Sequence, residues 1–505
     1  MLLKSGIIVA FFTLLSRFFG LARELFIAAT FGTTAIADCV NVAFKLPNLF
    51  RRIFGEGALS AVFIPMFSEK LISSKKDARI FSGKIFTLLL LTLIVLTIIM
   101  QIIMPYLMIV IAPGFIASEK FDLAVTLCRI TMPYVIFVSI TALLGGMLNS
   151  VRKFAAFAFV PIIMNICIIL ITPILNSKYA AHFSIGYALL VAGVLQVVFM
   201  YFCLRRAGLN FPILFQPKDK EVRKLLRKMG PATMSSGAQQ LSLFISQSIA
   251  SFLPGAVSIL SYADRLYQLP MSLIGITFGT ILLPELSKIY KKKNYVEANI
   301  LQNKVVKIAL TISIPAMFGL FLLARPIIHL IYERGEFGTN DTIMTANALM
   351  GFSFGLPAFV LAKILTPIFY ANLDTKTPFK ITIYSLTTNI VLNILLMIPF
   401  GHVGIALGSS IAAWFNVWLL NKHAKHYGEF KITKESLLFS VKIIIGSCIM
   451  GAFVIISTHY YGHLFYDDSF LIKASALIGT IIIAFIIFVL FLFLMKMHKT
   501  LLEKV

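Results

Sequence analysis

Of the chain's 505 residues, 59% are hydrophobic and only 13% are charged. Its mean hydropathy is +0.92, and soluble domains carry about 25% charged residues. A soluble core of this size could not bury so much apolar surface, whereas a bilayer can. The net charge of +24 would suggest nucleic acid in a soluble protein. Here the gathering of Lys and Arg in cytoplasmic loops accounts for most of it, so no nucleic-acid partner is expected.

Uncharged apolar runs such as 85–103 and 476–494 have about the 20 residues that cross ~30 Å of hydrocarbon. Taken in chain order, the apolar segments give about fourteen spans. They centre near residues 18, 50, 95, 135, 167, 195, 241, 271, 316, 356, 388, 411, 447 and 483. The first segment carries Lys4 and resembles a signal peptide, but it runs into Arg17 and Arg23-Glu24 without a small-residue cleavage site, so it is expected to stay as a first helix. The expected fold class is an all-α polytopic membrane protein.

Charge alternates from loop to loop. Cations collect at Lys70–Arg79, Arg152-Lys153, Arg205 through Lys228, Lys288 through Lys293, Lys376 and Lys380, Lys422 through Lys434, and the tail Lys496, Lys499 and Lys504. Intervening loops are nearly free of them, and 119–122, 333–341 and 467–468 are acidic. That pattern requires an even number of spans with both termini cytoplasmic. The longest cytoplasmic connection holds a basic amphipathic stretch, Lys218 to Lys228, which fits a helix on an anionic leaflet and equally a charged linker that only sets topology.

Two halves of the chain repeat. Pro47 and Pro270 lie 223 residues apart, as do Asn149 and Asn372; Pro133 and Pro357 lie 224 apart, as do Asn165 and Asn389. FIPMFS (63–68) matches LLPELS (282–287), and IGYAL (185–189) matches VGIAL (403–407). An offset of six spans makes the repeats parallel, an architecture of alternating-access transporters. The expected organisation is an N-terminal lobe 1–215, the linker 216–229, a C-terminal lobe 230–427, and two added spans with a tail, 428–505.

Ionisable groups within spans are costly and usually face a bundle interior or a watery cavity. Span 1 has Arg17, Arg23 and Glu24; span 2 has Asp38, Lys45, Arg51, Arg52 and Glu56; span 8 has Asp264 and Arg265. Asn48 and Arg51 share a helix face, and Ser258, Ser261, Arg265 and Gln268 form one stripe. A guanidinium stays charged at any depth and its planar fork matches phosphate, so arginines from spans 1, 2 and 8 suit a pyrophosphate. Snorkelling (Arg52, Glu24) and Arg265 pairing with Asp38 or Asp264 are the structural alternatives. Lys363 is a weaker candidate. Prolines 47, 133, 161, 270, 315 and 357 are expected inside helices, as hinges or as packing bends.

Catalysis is not expected. The eight histidines fall in loops or near span ends, and there is no HExxH, Walker loop or nucleophile elbow. The five cysteines lie in apolar segments without a CxxC pair and are expected to be buried small side chains. No cofactor is expected; a driving force would come from an ion gradient, the membrane potential or the cargo gradient.

SRFFGLARE (16–24), AFKLPNLFRRIFGEG (43–57) and SYADRL (261–266) resemble the MurJ (MviN) lipid II flippase family of the multidrug/oligosaccharidyl-lipid/polysaccharide exporter superfamily. The resemblance covers essentially the whole chain. It implies fourteen spans in two six-helix lobes with two added helices, and transport of lipid II to the outer leaflet of a bacterial plasma membrane. It assigns a substrate cavity to Arg17, Arg23, Arg51, Arg265, Asp38, Asn48, Ser16 and Ser258, with Gln268 where some members carry Glu. Asn389 and Asn393 stand where some members bind sodium through a carboxylate, so no metal site is assigned. It gives spans 13 and 14 a groove for the polyprenyl tail. Expected partners are lipid II, membrane lipids and cell-wall synthesis proteins, with the chain a monomer. Other undecaprenyl-pyrophosphate glycans as cargo, a non-transporting scaffold and an intramembrane transferase remain the alternatives.

Overall fold

A computed structural model describes residues 2–50, 59–116, 118–425 and 433–498. Among these there is no strand, only an isolated bridge between Arg334 and Phe337. The chain separates into two compact units, Met1–Val257 and Ser258–Val505.

The first unit contains α1 (Leu2–Phe31), α2 (Ala35–Phe50), α3 (Leu59–Ser73), α4 (Lys75–Ile111), α5 (Lys120–Thr131), α6 (Tyr134–Ser150), α7 (Phe154–Leu175), α8 (Ala181–Arg206) and α9 (Lys220–Ala250). The second follows with α10 (Ala256–Lys291), whose first two residues belong to the first unit, then α11 (Tyr295–Leu322), α12 (Ala324–Tyr332), α13 (Thr339–Ser353) and α14 (Leu356–Ala371). It closes with α15 (Lys376–Ala424), α16 (Lys434–Tyr460) and α17 (Phe470–Leu494). Each expected span centre falls within one of these helices. Nine helical stretches among the described residues are long and apolar enough to cross a bilayer, counting α5 with α6 and α13 with α14.

Helix α15 holds two of the expected centres. Its 49 residues would extend roughly 74 Å if straight, more than twice the hydrocarbon thickness. The chain turns at Gly401, whose φ of 56° and ψ of −134° are not helical and suit a residue without Cβ. The two arms then pack closely: a Cβ on Gly404 would overlap the Leu396 carbonyl, and Ser385 Oγ donates to Ala412 O at 3.0 Å.

The two matched strings share a burial pattern. In both matched strings the first and fifth residues are buried, Phe63 and Phe67 in one, Leu282 and Leu286 in the other. Two of the six prolines are placed differently from expectation. Pro133 caps α6 and Pro357 stands in the first turn of α14, so each opens a helix after a break. Each proline lacks the N–H that would bond back across the break, so the break leaves one donor fewer to satisfy. Pro47, Pro161, Pro270 and Pro315 do lie inside helices. Of the cysteines, Cys39, Cys128 and Cys167 are buried, Cys203 is half-buried and Cys448 is exposed on α16.

Helix starts with side-chain caps gather on the side expected to be cytoplasmic: Ser74 for α4, Asp219 for α9, Asn294 for α11 and Thr433 for α16. Water competes there for backbone N–H groups, and a side-chain oxygen satisfies them. The same end of the first unit holds a core of Phe63, Phe67, Phe81, Leu143, Met147 and Leu204. Val222 and Leu225 at the start of α9 complete it. Val222 and Leu225 of the basic stretch therefore face protein.

In the second unit α16 is fastened to α11. Lys307 Nζ lies 2.7 Å from Glu435 Oε1, and Asn303 Oδ1 accepts from Ser436 Oγ at 2.8 Å. At the opposite end Tyr262, Tyr332 and Phe337 pack ring against ring, with centroids 5.2 to 5.7 Å apart. Exposed apolar side chains such as Ile482, Phe485 and Ile486 run along α17, as lipid contact requires.

The Asp219 carboxylate is held below its ordinary pKa of 3.8, chiefly by the hydrogen bond from the Lys84 ammonium at 2.6 Å. A carboxylate with a depressed folded-state pKa stabilises the fold above its unfolded value, and that contribution fades as pH falls through the folded value. Thermal unfolding in detergent between about pH 7 and about pH 3 should show a loss of stability below about pH 4. Asp219→Asn is expected to be less stable at neutral pH and to lose that part of the acid dependence. An unchanged acid profile in the variant would contradict the pairing.

Candidate functional site

Helix α1 places two arginines within a span. Arg17 is exposed and Arg23 half-buried. Arg23 donates from Nη2 to Glu24 Oε1 at 2.7 Å, and both side chains are largely enclosed, at 12% and 9% exposure. The guanidinium also lies 6.0 Å from the centroid of Phe44. Glu24 therefore does not snorkel; it neutralises Arg23 inside the protein. The pairing leaves the Arg23 Nε buried without a hydrogen-bond partner among the described residues. A buried, unmet N–H costs about 1–3 kcal/mol, and an incoming oxyanion would meet it. Ser16 is half-buried, and its carbonyl accepts from Asn165 Nδ2 at 3.4 Å. Asn48 and Lys45 on α2 are half-buried. Arg51, Arg52 and Glu56 lie outside the described residues.

Asp38 is fully enclosed, at 0% exposure. Its Oδ2 accepts from Lys120 Nζ at 3.0 Å and from the Gly255 backbone N–H at 3.0 Å. Lys120 Nζ also stands 5.3 Å from the Phe115 ring centroid. Two further bonds tie the same region. Gly114 N–H donates to Ser251 Oγ at 3.0 Å, and Ser248 Oγ donates to Ile111 O at 2.9 Å. A Cβ on Gly114 would overlap the backbone at Ser251 and Phe252, so glycine permits this approach. The start of α2, the α4–α5 connection and the α9–α10 turn are thus clasped at their common end, the end opposite the side-chain caps. Asp38 holds Lys120 and the turn. Lys120 was missed; its signal was being a cation in an otherwise acidic outer loop.

In the second unit the α10 stripe runs from buried to exposed. Ser258 is fully buried, Ser261 half-buried and Arg265 exposed. Asp264 and Gln268 are half-buried, and Gln268 Nε2 donates to Asp264 Oδ2. Lys363 on α14 is exposed. Asn389 Nδ2 donates to Ser409 Oγ at 3.1 Å and Asn393 is fully buried beside it, so these amides join the two arms of α15. No group of three or more metal-ligating side chains occurs among the described residues.

The sequence pattern of the family described as lipid II flippase MurJ matches residues 27–499. A probable lipid II flippase MurJ from Rickettsia prowazekii (strain Madrid E) is 56% identical over 488 residues, covering 96% of each chain. One from Rhizobium tropici is 38% identical over 491 residues, covering 95% of this chain and 92% of its own. Among solved structures, a lipid II flippase MurJ in an inward closed conformation superimposes with a TM-score of 0.79 at 30% identity. The match covers 96% of this chain and 98% of that one. An inward-facing multidrug transporter of the MATE family superimposes with a TM-score of 0.69 at 16% identity, a likeness of fold.

Removing one partner of a buried ion pair strands the other, at about 3–5 kcal/mol. Asp38→Ala should therefore lower thermal stability markedly in detergent, and Lys120→Met should do so as well. The double variant Asp38→Ala/Lys120→Met is expected to lose clearly less than the sum of the two. Strict additivity would show that the pair does not form.

Proposed function

The chain belongs to the MurJ family of lipid II flippases, and we propose that it moves lipid II from the inner to the outer leaflet of the bacterial inner membrane by alternating access. The observation that carries the mechanism is Arg23: a guanidinium within a span, neutralised by Glu24, with one N–H left unmet. A pyrophosphate oxygen arriving there completes the donor's valence, which apolar cargo does not. Arg17 and Arg265, both exposed, supply further cationic forks, and Arg51 completes the set by family resemblance.

Both termini are placed on the cytoplasmic side by the loop charges. The clasp around Asp38 then lies at the outer end of the first unit. Opening outward has to release Ser248, Ser251 and Gly255 from the α2 and α4–α5 segments that hold them. The headgroup enters from the inside while the clasp is closed. Spans 13 and 14, here α16 and α17, keep the polyprenyl tail in an apolar surface while the headgroup crosses.

Retained positive charge is the requirement. Arg17→Ala, Arg51→Ala and Arg265→Ala should each abolish support of peptidoglycan synthesis in a strain that depends on this protein, with membrane levels unchanged. Lys at the same positions should restore function partly, since it keeps the charge and loses the bidentate fork. Full growth by all three alanine variants would remove the arginine cavity.

A further inference from the structure

The basic stretch that precedes α9's membrane segment is left without a task by transport through a cavity. Five cations, Lys220, Arg223, Lys224, Arg227 and Lys228, recur at the i, i+3, i+4, i+7, i+8 spacing of one helix face, and all five are exposed. The opposite side is fixed to the first unit by Val222 and Leu225, at 0% and 2% exposure. The two carboxylates of the stretch are taken: Asp219 by Lys84 at 2.6 Å and Glu221 by Lys70 at 3.5 Å. None of the five cations has an ion pair or hydrogen bond among the described residues, and together they line an open hollow of about 730 Å³.

So many unneutralised charges on a rigid face attract a counter-anion, and their depth indicates which. Helix α9 ends at Ala250, beside the outer clasp. Twenty residues from there use up about 30 Å of hydrocarbon, and the next two turns inward lie at the level of lipid phosphates. Lys224, Arg227 and Lys228 fall in that zone. Leu226, 49% exposed, sits one turn from Arg223 and adjoins Arg227.

We propose that this face is a binding site for phosphate-bearing lipid headgroups of the cytoplasmic leaflet. The lysines and the two arginine forks hold headgroup oxygens. The site holds the cytoplasmic end of α9 at the membrane surface. Its ligand is either a bulk anionic phospholipid or the pyrophosphate of a polyprenyl lipid, which share this chemistry. The inference rests on α9 crossing the membrane with its start inside, and not on lipid II transport.

The test uses the full-length protein in detergent and native mass spectrometry of retained lipid. The probes are phosphatidylglycerol, phosphatidylcholine of the same acyl chains, undecaprenyl pyrophosphate and inorganic pyrophosphate. Lys220→Gln, Arg223→Gln, Lys224→Gln, Arg227→Gln and Lys228→Gln are combined in one variant. It is expected to lose about tenfold or more in phosphatidylglycerol retention, because the anionic headgroup loses its counter-charges. Phosphatidylcholine retention should not change. A loss confined to undecaprenyl pyrophosphate assigns the site to polyprenyl lipid, and a loss of both assigns it to lipids whose phosphate headgroup carries net negative charge. A variant with Lys and Arg exchanged at the five positions should retain lipid as the natural chain does, which separates charge from folding. Unchanged retention of both lipids in the glutamine variant, or a loss only of inorganic pyrophosphate, overturns the proposal. Arg17→Ala, which probes the cavity, should leave phospholipid retention at this face unaffected.

Discussion

A charge inside a bilayer has to meet an opposite charge, a water-filled space or a ligand, because unpaired it costs several kcal/mol. The intramembrane charges of this chain meet that constraint in two ways. Asp38 is completely satisfied by an ammonium and a backbone N–H and is shut away from solvent. Arg23 is satisfied only in part, its carboxylate partner leaving one donor open. The first arrangement builds structure; in the proposed mechanism the second is where a cargo oxygen binds. A transporter of an anion needs both: a tie that defines one end of the molecule, and a cation that stays incompletely paired until cargo arrives.

The helix breaks follow from the same economy of backbone groups. Inside a membrane an interrupted helix exposes N–H and C=O groups, so interruptions occur where protein surrounds them. The breaks before Pro133 and Pro357 stand at matching places in the repeat, and the residues around them, Met132, Tyr134, Leu356 and Ala358, are buried. Gly401 turns the chain between the two arms of α15, which then bond through Ser385 and Asn389. These are local solutions that let long apolar helices fold back without leaving polar groups in lipid.

Much of this was legible in the sequence because its causes are local or periodic. Apolar runs of span length locate the helices without knowledge of contacts, and prolines at offsets of 223 and 224 suggest a repeat. The partners in the clasp were not legible. Asp38 meets Lys120 across four helical segments, and no spacing rule links them; the single cue was a cation where the charge rule forbids one. The basic stretch at the start of α9 is amphipathic by its spacing, but periodicity cannot say whether its apolar side meets lipid or protein, and Val222 and Leu225 meet protein. The arginines were legible as residues of a span because their cost is intrinsic to the guanidinium. Which of them keep an open donor depends on neighbours such as Glu24 and Phe44, and only coordinates supply that.

The central claim is movement of lipid II between leaflets, and its most direct measurement is the leaflet in which lipid II resides when the protein is withdrawn. Cells depleted of the chain would be treated from outside with a membrane-impermeant enzyme that cleaves lipid II, and the protected fraction determined. Lipid II is expected to accumulate and become protected, and restoring the chain is expected to return it to the cleavable pool. Lipid II that stays equally cleavable through depletion, or a different polyprenyl-linked glycan accumulating in its place, would contradict it.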